Sequence, residues 1–140
     1  MLHLANTSCS LDLEILEEAN GSGIVYPSVK LEAAVRSNGF CGQSSSWVFM
    51  ENMERFCKAL ISLNNTLKGN ASLESISPEE LSLIIAPVNL RGYLGVSGLI
   101  GHHFYSENTD HWHSVNFGFE FEPSQLQLAI QAPWIKKYAG

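Results

Sequence analysis

Charged side chains are scarce in this chain of 140 residues: Lys, Arg, Asp and Glu make up 16% of it, against roughly 25% in an average soluble domain. Cations are scarcer still, with eight Lys and Arg against fourteen Asp and Glu, a formal net charge of -6. A nucleic-acid binder needs a basic face to neutralise phosphates, and docking to anionic lipid needs a basic cluster, so neither class is expected. No apolar run approaches the ~18 to 20 residues of a membrane span. Met1 to Cys9 contains no Lys, no Arg and no long apolar core, so no signal peptide is expected, and the expected compartment is the cytoplasm.

Cysteine is confined to Cys9, Cys41 and Cys57. An odd count with no C-x-x-C spacing is neither a disulfide framework nor a zinc site, and reads as three free, mostly buried thiols in a reducing compartment. The N-x-S/T matches at Asn6, Asn64 and Asn70 carry no meaning without a secretory route. H-E-x-x-H and G-x-S-x-G are absent, and Gly92-Tyr-Leu-Gly95 has neither the Lys nor the helix of a phosphate-cradling loop. No resident cofactor is expected.

What is present is apolar and periodic. Hydrophobic residues make up 45% of the chain. At this length a single domain, 1–140, can bury roughly 70% of its unfolded surface. Leu11–Ile15 and Ser28–Ser37 alternate apolar with polar residues, the mark of half-buried strands, and Asn20–Gly23 reads as a turn. Asn38-Gly39 breaks the second strand. Gly39–Gly42 with Ser44, Ser45 and Ser46 reads as a loop or short hairpin arm whose serines make turns and cap the coming helix. Phe49, Met53, Phe56, Cys57, Leu60, Leu63 and Leu67 then share one face at 3.6 residues per turn. The opposite face pairs Glu51 with Arg55 and Glu54 with Lys58, and Lys68-Gly69 offers a C-terminal cation and a left-handed cap.

Beyond this helix, at about 50–68, the period returns to two. Ser77-Pro-Glu-Glu80 predicts one helical turn leading into a strand over Leu81–Ile85, which Pro87 ends. Asn89–Gly92 is a turn, Tyr93–Ile100 a return strand, and His102–Asp110 a polar loop. Val115, Phe117, Phe119 and Phe121 alternate with small or polar residues, and this aromatic strand is expected to pack under the helix. Pro123–Gln131 reads as a short helix, and Trp134, Ile135 and Tyr138 give the tail something to bury. The expected class is α+β: a mainly antiparallel sheet, one dominant amphipathic helix packed on it, and a short C-terminal helix.

The one dense cluster of chemical side chains runs from His102 to His113. His111 and His113 alternate onto one strand face, and His103 or Asp110 could close a third position, so a metal-binding module or metal-dependent enzyme is one reading. A hairpin whose histidines are solvated or bonded locally is the other. Between Ala71 and Ile135 the sole basic residue is Arg91, against Glu74, Glu79, Glu80, Glu107, Asp110, Glu120 and Glu122. That asymmetry favours cationic partners, although solubility alone also calls for net charge. Trp112, between two histidines and near Asp110, has the composition of an interaction hot spot or of a strand-end residue covering the sheet edge.

The order of these features resembles the WapI-type immunity proteins and related small bacterial domains. The likeness is carried by Val29–Gly42, the helix with Phe56-x-x-x-Leu60-x-x-Leu63, and Ala71-Ser-Leu-Glu74 ahead of Leu81-Ser-Leu. The strand around Gly92 and Phe117-x-Phe119-x-Phe121-Glu-x-x-Gln-Leu126 complete it, over about residues 28–130. The resemblance implies a non-enzymatic antidote that binds and blocks a toxin. No binding residues come with it. The acidic and aromatic residues expected to meet a basic toxin domain are those of this sequence: Glu79, Glu80, Glu107, Asp110, Trp112, Glu120 and Glu122.

Overall fold

The chain forms two four-stranded antiparallel meanders, each followed by helix; the computed structural model describes residues 1–23 and 26–140. The first sheet holds β1 (Leu2–Ala5), β2 (Cys9–Ala19), β3 (Ser28–Ser37) and β4 (Phe40–Phe49) in sequence order. Helix α1 (Met50–Thr66) follows. The second sheet holds β5 (Ala71–Glu74), β6 (Leu81–Pro87), β7 (Leu94–Tyr105) and β8 (Asp110–Phe121), again in order, and α2 (Pro123–Ala129) and α3 (Pro133–Ala139) close the chain. The expected α+β class is therefore correct.

Alternation decides which face of each strand is buried. Leu2, Leu4, Leu11, Leu13, Val29, Leu31 and Val48 are all inaccessible to solvent, and so are Ile85 and Leu94 across the core. Helix α1 buries Met53, Phe56, Cys57, Leu60 and Leu63, and each of these except the smaller Cys57 contributes about 1.5–3 kcal/mol when fully withdrawn from water. The outer members of its predicted stripe lie beyond the helix: Phe49 is the residue before it, and Leu67 takes the left-handed cap expected at Gly69. No serine caps its start. Met50 N–H donates instead to Pro27 O at 3.0 Å. On the solvent face the Glu51–Arg55 pair closes at 3.2 Å.

Of the loop or hairpin arm expected over Gly39–Ser46, the hairpin arm is the form present. β4 runs ten residues, and its serines serve packing rather than turns. Gly42, Ser44 and Ser46 pair with Val35, Ala33 and Leu31, so they share the inward face. Their small size lets β4 come close to β7 and β8: a Cβ on Gly42 would sit 3.1 Å from Val115 Cγ2, and Ser44 Oγ donates to Gly101 O at 3.2 Å. The aromatic strand β8 consequently meets β3 and β4 more than it meets α1. The Ser77–Glu80 segment forms a turn, not a helical one. Ser75 Oγ donates to Ser77 O at 2.6 Å and accepts from Leu81 N at 3.0 Å, which closes the β5–β6 hairpin over too few residues for a helix. Glu79 there has φ of 69°, a left-handed conformation costing about 1–2 kcal/mol for a residue with a Cβ.

A bulge in β2 shifts the β2–β3 register between Ile15 and Glu17. Beyond it Glu18 stands opposite buried Val29, so an acid is re-aimed toward the core side of the sheet. There it accepts hydrogen bonds from Tyr138 Oη and from Lys137 Nζ, the latter at 2.5 Å, tying β2 to α3. The lysine bond first, then the tyrosine bond, hold the Glu18 carboxyl below its ordinary value of 4.5. Burial first, then the Glu18 contact, push the Tyr138 hydroxyl upward. Two of the three thiols, Cys9 and Cys57, are buried, and burial pushes Cys57 up to about 12; Cys41 is exposed, because it lies on the outward face of β4.

A Cβ at Gly101 would fall 2.2 Å from Glu79 O, a backbone atom that cannot rotate away, so Gly101→Ala costs about 1–3 kcal/mol, read as a lower urea midpoint. Because the Glu18 carboxyl is lowered in the fold, its stabilisation is present above the unfolded value and fades as pH falls through the folded one. Glu18→Gln therefore lowers Tm at pH 7, and the gap to the parent protein closes on acidification below 4.5.

Candidate functional site

Strands β7 and β8 outrun the core. Their buried inward pairs end at Ile100 opposite Val115, and the ladder continues through Gly101↔Ser114, His102↔His113, His103↔Trp112 and Phe104↔His111 to Tyr105↔Asp110. What reads as a polar loop over His102–Asp110 is thus mostly paired strand, turned only by Ser106–Thr109. Ser106 N–H donates to Thr109 O at 3.0 Å, and Thr109 N–H returns to Ser106 Oγ at 3.1 Å.

Pairing sorts the hairpin side chains onto two faces. His102, Phe104, His111 and His113 continue the core-side face past the end of the core. Phe104 packs edge-on to His102 and to His113, with ring centroids 4.3 and 5.0 Å apart. His111 Nε2 lies 2.8 Å from Thr109 Oγ1. On the outer face His103 stacks flat on Trp112, 4.6 Å between centroids and 6° from parallel, and also meets Tyr105 at 4.2 Å. The stack covers His103 Nε2, which has no hydrogen-bond partner among the described residues and lies 3.7 Å from an Asp110 carboxylate oxygen. Trp112 itself remains 47% exposed and Tyr105 77%.

This sorting corrects the metal reading in one respect. His103 and Asp110 stand on the face opposite His111 and His113, so neither closes a three-ligand set with that pair. Among the described residues no group of three or more His, Cys, Asp and Glu is placed to hold a metal ion. An open cleft of about 690 Å³ lies between the hairpin and β4, with His102, Phe104 and His113 on one wall and Gly42 and Ser44 on the other.

The expected acidic residues fall into two groups. Glu107 sits in the hairpin turn, Asp110 and Trp112 just below it, and the Glu79 and Glu80 backbone lies against Gly101 at its base, where Gly101 N–H donates to Glu80 O at 3.0 Å. Glu120 shares the outer face of β8 but stands ten residues from Asp110, about 34 Å along the strand. Glu122 precedes α2 at that same far end. A single small contact cannot include both groups. Phe104, Tyr105 and the His103 stack were missed in the sequence, although the alternation Ile100, His102, Phe104 extends the strand period straight through them.

Neither a family model, nor a curated protein, nor a solved structure matches this chain. No helix among the described residues is long and apolar enough to cross a membrane. The site therefore rests on its own geometry. The stack on His103 stands outside the core, so Trp112→Ala is expected to cost about 1–3 kcal/mol, the ring contact together with the apolar area it covers. Chemical denaturation measures that cost, and an unchanged far-ultraviolet spectrum is expected alongside it.

Proposed function

We propose that the chain is a non-enzymatic protein-binding domain: a bacterial immunity-type protein, working in the cytoplasm, that occludes a basic toxin domain. The observation that carries this reading is Trp112, half exposed on a paired hairpin that projects beyond the core, held flat by His103, two residues from Asp110 on the same strand face and below the turn that carries Glu107. A rigid aromatic in an acidic surround is suited to a cationic partner, with the ring supplying buried area and a cation–π face while the carboxylates speed encounter. Residues 71–122 support the same sign of partner, with seven acids and one cation, Arg91, which belongs to the β6–β7 turn at the other end of the sheet.

The WapI-type resemblance supports the antidote role, and the open cleft beside the hairpin supports occlusion by shape. Binding to the protein encoded beside this chain, followed by surface plasmon resonance across a salt series, tests the reading. Association is expected to slow steeply with salt. Glu107→Gln with Asp110→Asn slows it further, whereas Trp112→Ala acts on dissociation and weakens the complex by about 30-fold. A neighbour product that does not bind even at low salt sinks the toxin–antidote pairing.

A further inference from the structure

Each sheet has two edge strands, and each of the four is met by a neighbouring element over part of its length. Helix α2 packs against β1 and α1 against β5, while Ile76 N–H donates to Trp47 O on β4 at 2.8 Å. Edge β8 is protected at one end only. In an antiparallel ladder, backbone groups of alternate residues face the paired strand or face away from it. Because Ser106 bonds Thr109 across the turn, the bonded pairs with β7 continue as Phe104 with His111 and His102 with His113. The N–H and C=O groups of even-numbered residues in β8 therefore point out of the sheet. Lower down the strand these groups are met: Gly118 O accepts from Ser37 Oγ at 3.4 Å, and Glu120 O from Asn6 Nδ2 at 2.8 Å. Over Asp110, Trp112, Ser114 and Asn116 no such partner exists among the described residues, and all four are exposed.

The geometry points to this stretch as a strand-addition site, at which an extended basic segment of a partner protein pairs with β8 and becomes a fifth strand of the second sheet. The inference rests on the partner being basic, as proposed above, and adds how it is held: by backbone hydrogen bonds over about 20 Å of edge. Register fixes the chemistry of the incoming side chains. Those on one face lie beside Asp110 and the Trp112 ring, where Lys or Arg finds a carboxylate and an aromatic surface. Those on the other lie beside His113 and Val115, above the cleft that also reaches Phe104, where uncharged side chains fit. The favoured segment alternates cationic with apolar residues.

A labelled, end-blocked Lys-Val-Lys-Val-Lys-Val-Lys peptide, titrated into the full-length protein at low salt with anisotropy as readout, tests this. A peptide of equal charge with proline in the valine positions is the control that cannot form a strand. Ser114→Pro removes one outward N–H without touching the ladder to β7, a position where an edge strand tolerates proline. The alternating peptide is expected to bind, the proline peptide not, and Ser114→Pro to weaken binding about tenfold with Tm unchanged. Hydrogen exchange on the unmutated protein gives an independent readout: the Trp112 and Ser114 amides gain protection when the peptide is bound. Equal binding of both peptides, lost in Asp110→Asn but not in Ser114→Pro, overturns strand addition and leaves the acidic-rim reading standing. Absence of binding by either peptide overturns both. A concentration-dependent dimer that Ser114→Pro disperses assigns the edge to a second copy of this chain and overturns the basic-segment inference.

Discussion

Two strands longer than the core they cover set most of what is distinctive in this protein. β7 and β8 are each twelve residues long, yet the apolar surface they share with the first sheet ends at Ile100 and Val115. Beyond that point the alternation continues with nothing opposite it. The inward positions fall to His102, Phe104, His111 and His113, amphipathic rings that tolerate being half wet, and the outward ones to His103, Tyr105, Trp112 and Asp110. An isolated two-stranded ribbon is marginal in water. This one is held by being continuous with a sheet, by the ring stack on its outer face, and by the closed Ser106–Thr109 turn.

The close approach of the sheets depends in turn on small residues. Gly42 and Ser44 admit Val115 and the Gly101 carbonyl, and Gly101 itself admits the Glu79 carbonyl on its other side. A larger residue at any of these positions would push β4 or the β5–β6 turn away from the base of the hairpin. The turn accepts a left-handed Glu79 to lie there, a conformation that the Ser75 hydroxyl helps to hold by bonding both Ser77 O and Leu81 N. Packing at the hairpin base and exposure at its tip are thus parts of one arrangement.

The alternation of Val29–Val35 and Val115–Phe121 and the 3.6-residue stripe of α1 were legible because each is long enough for its period to be unambiguous. Short elements were not: β1 and β5 are four residues each, below the length at which a period declares itself. His, Asn and Ser give the hairpin the composition of a loop, whereas pairing with a committed neighbour strand overrides such preferences. The serines of β4 likewise carry a loop composition, since smallness is a packing property that the facing sheet reveals. The acidic asymmetry was legible as a count. Its division into a hairpin group and a distant Glu120–Glu122 group needed the register, because ten residues along a strand mean separation whereas ten along the chain do not.

The hairpin also has to be judged against screening. At physiological salt exposed charges lose their influence beyond about 8 Å, so Glu107 and Asp110 alone can guide a basic partner but hold it only weakly. Affinity has to come from surface removed from water and from hydrogen bonds that water would otherwise satisfy. Trp112 supplies the first, already immobilised by His103, so little side-chain freedom is lost when it is covered. The outward backbone groups from Asp110 to Asn116 supply the second, fixed in direction by the ladder behind them. Among the described residues, charge, ring and free edge coincide in this stretch of β8; at Glu120 the outward carbonyl is already taken by Asn6. That difference is why the near group of acids, and not the far one, belongs to the proposed binding site.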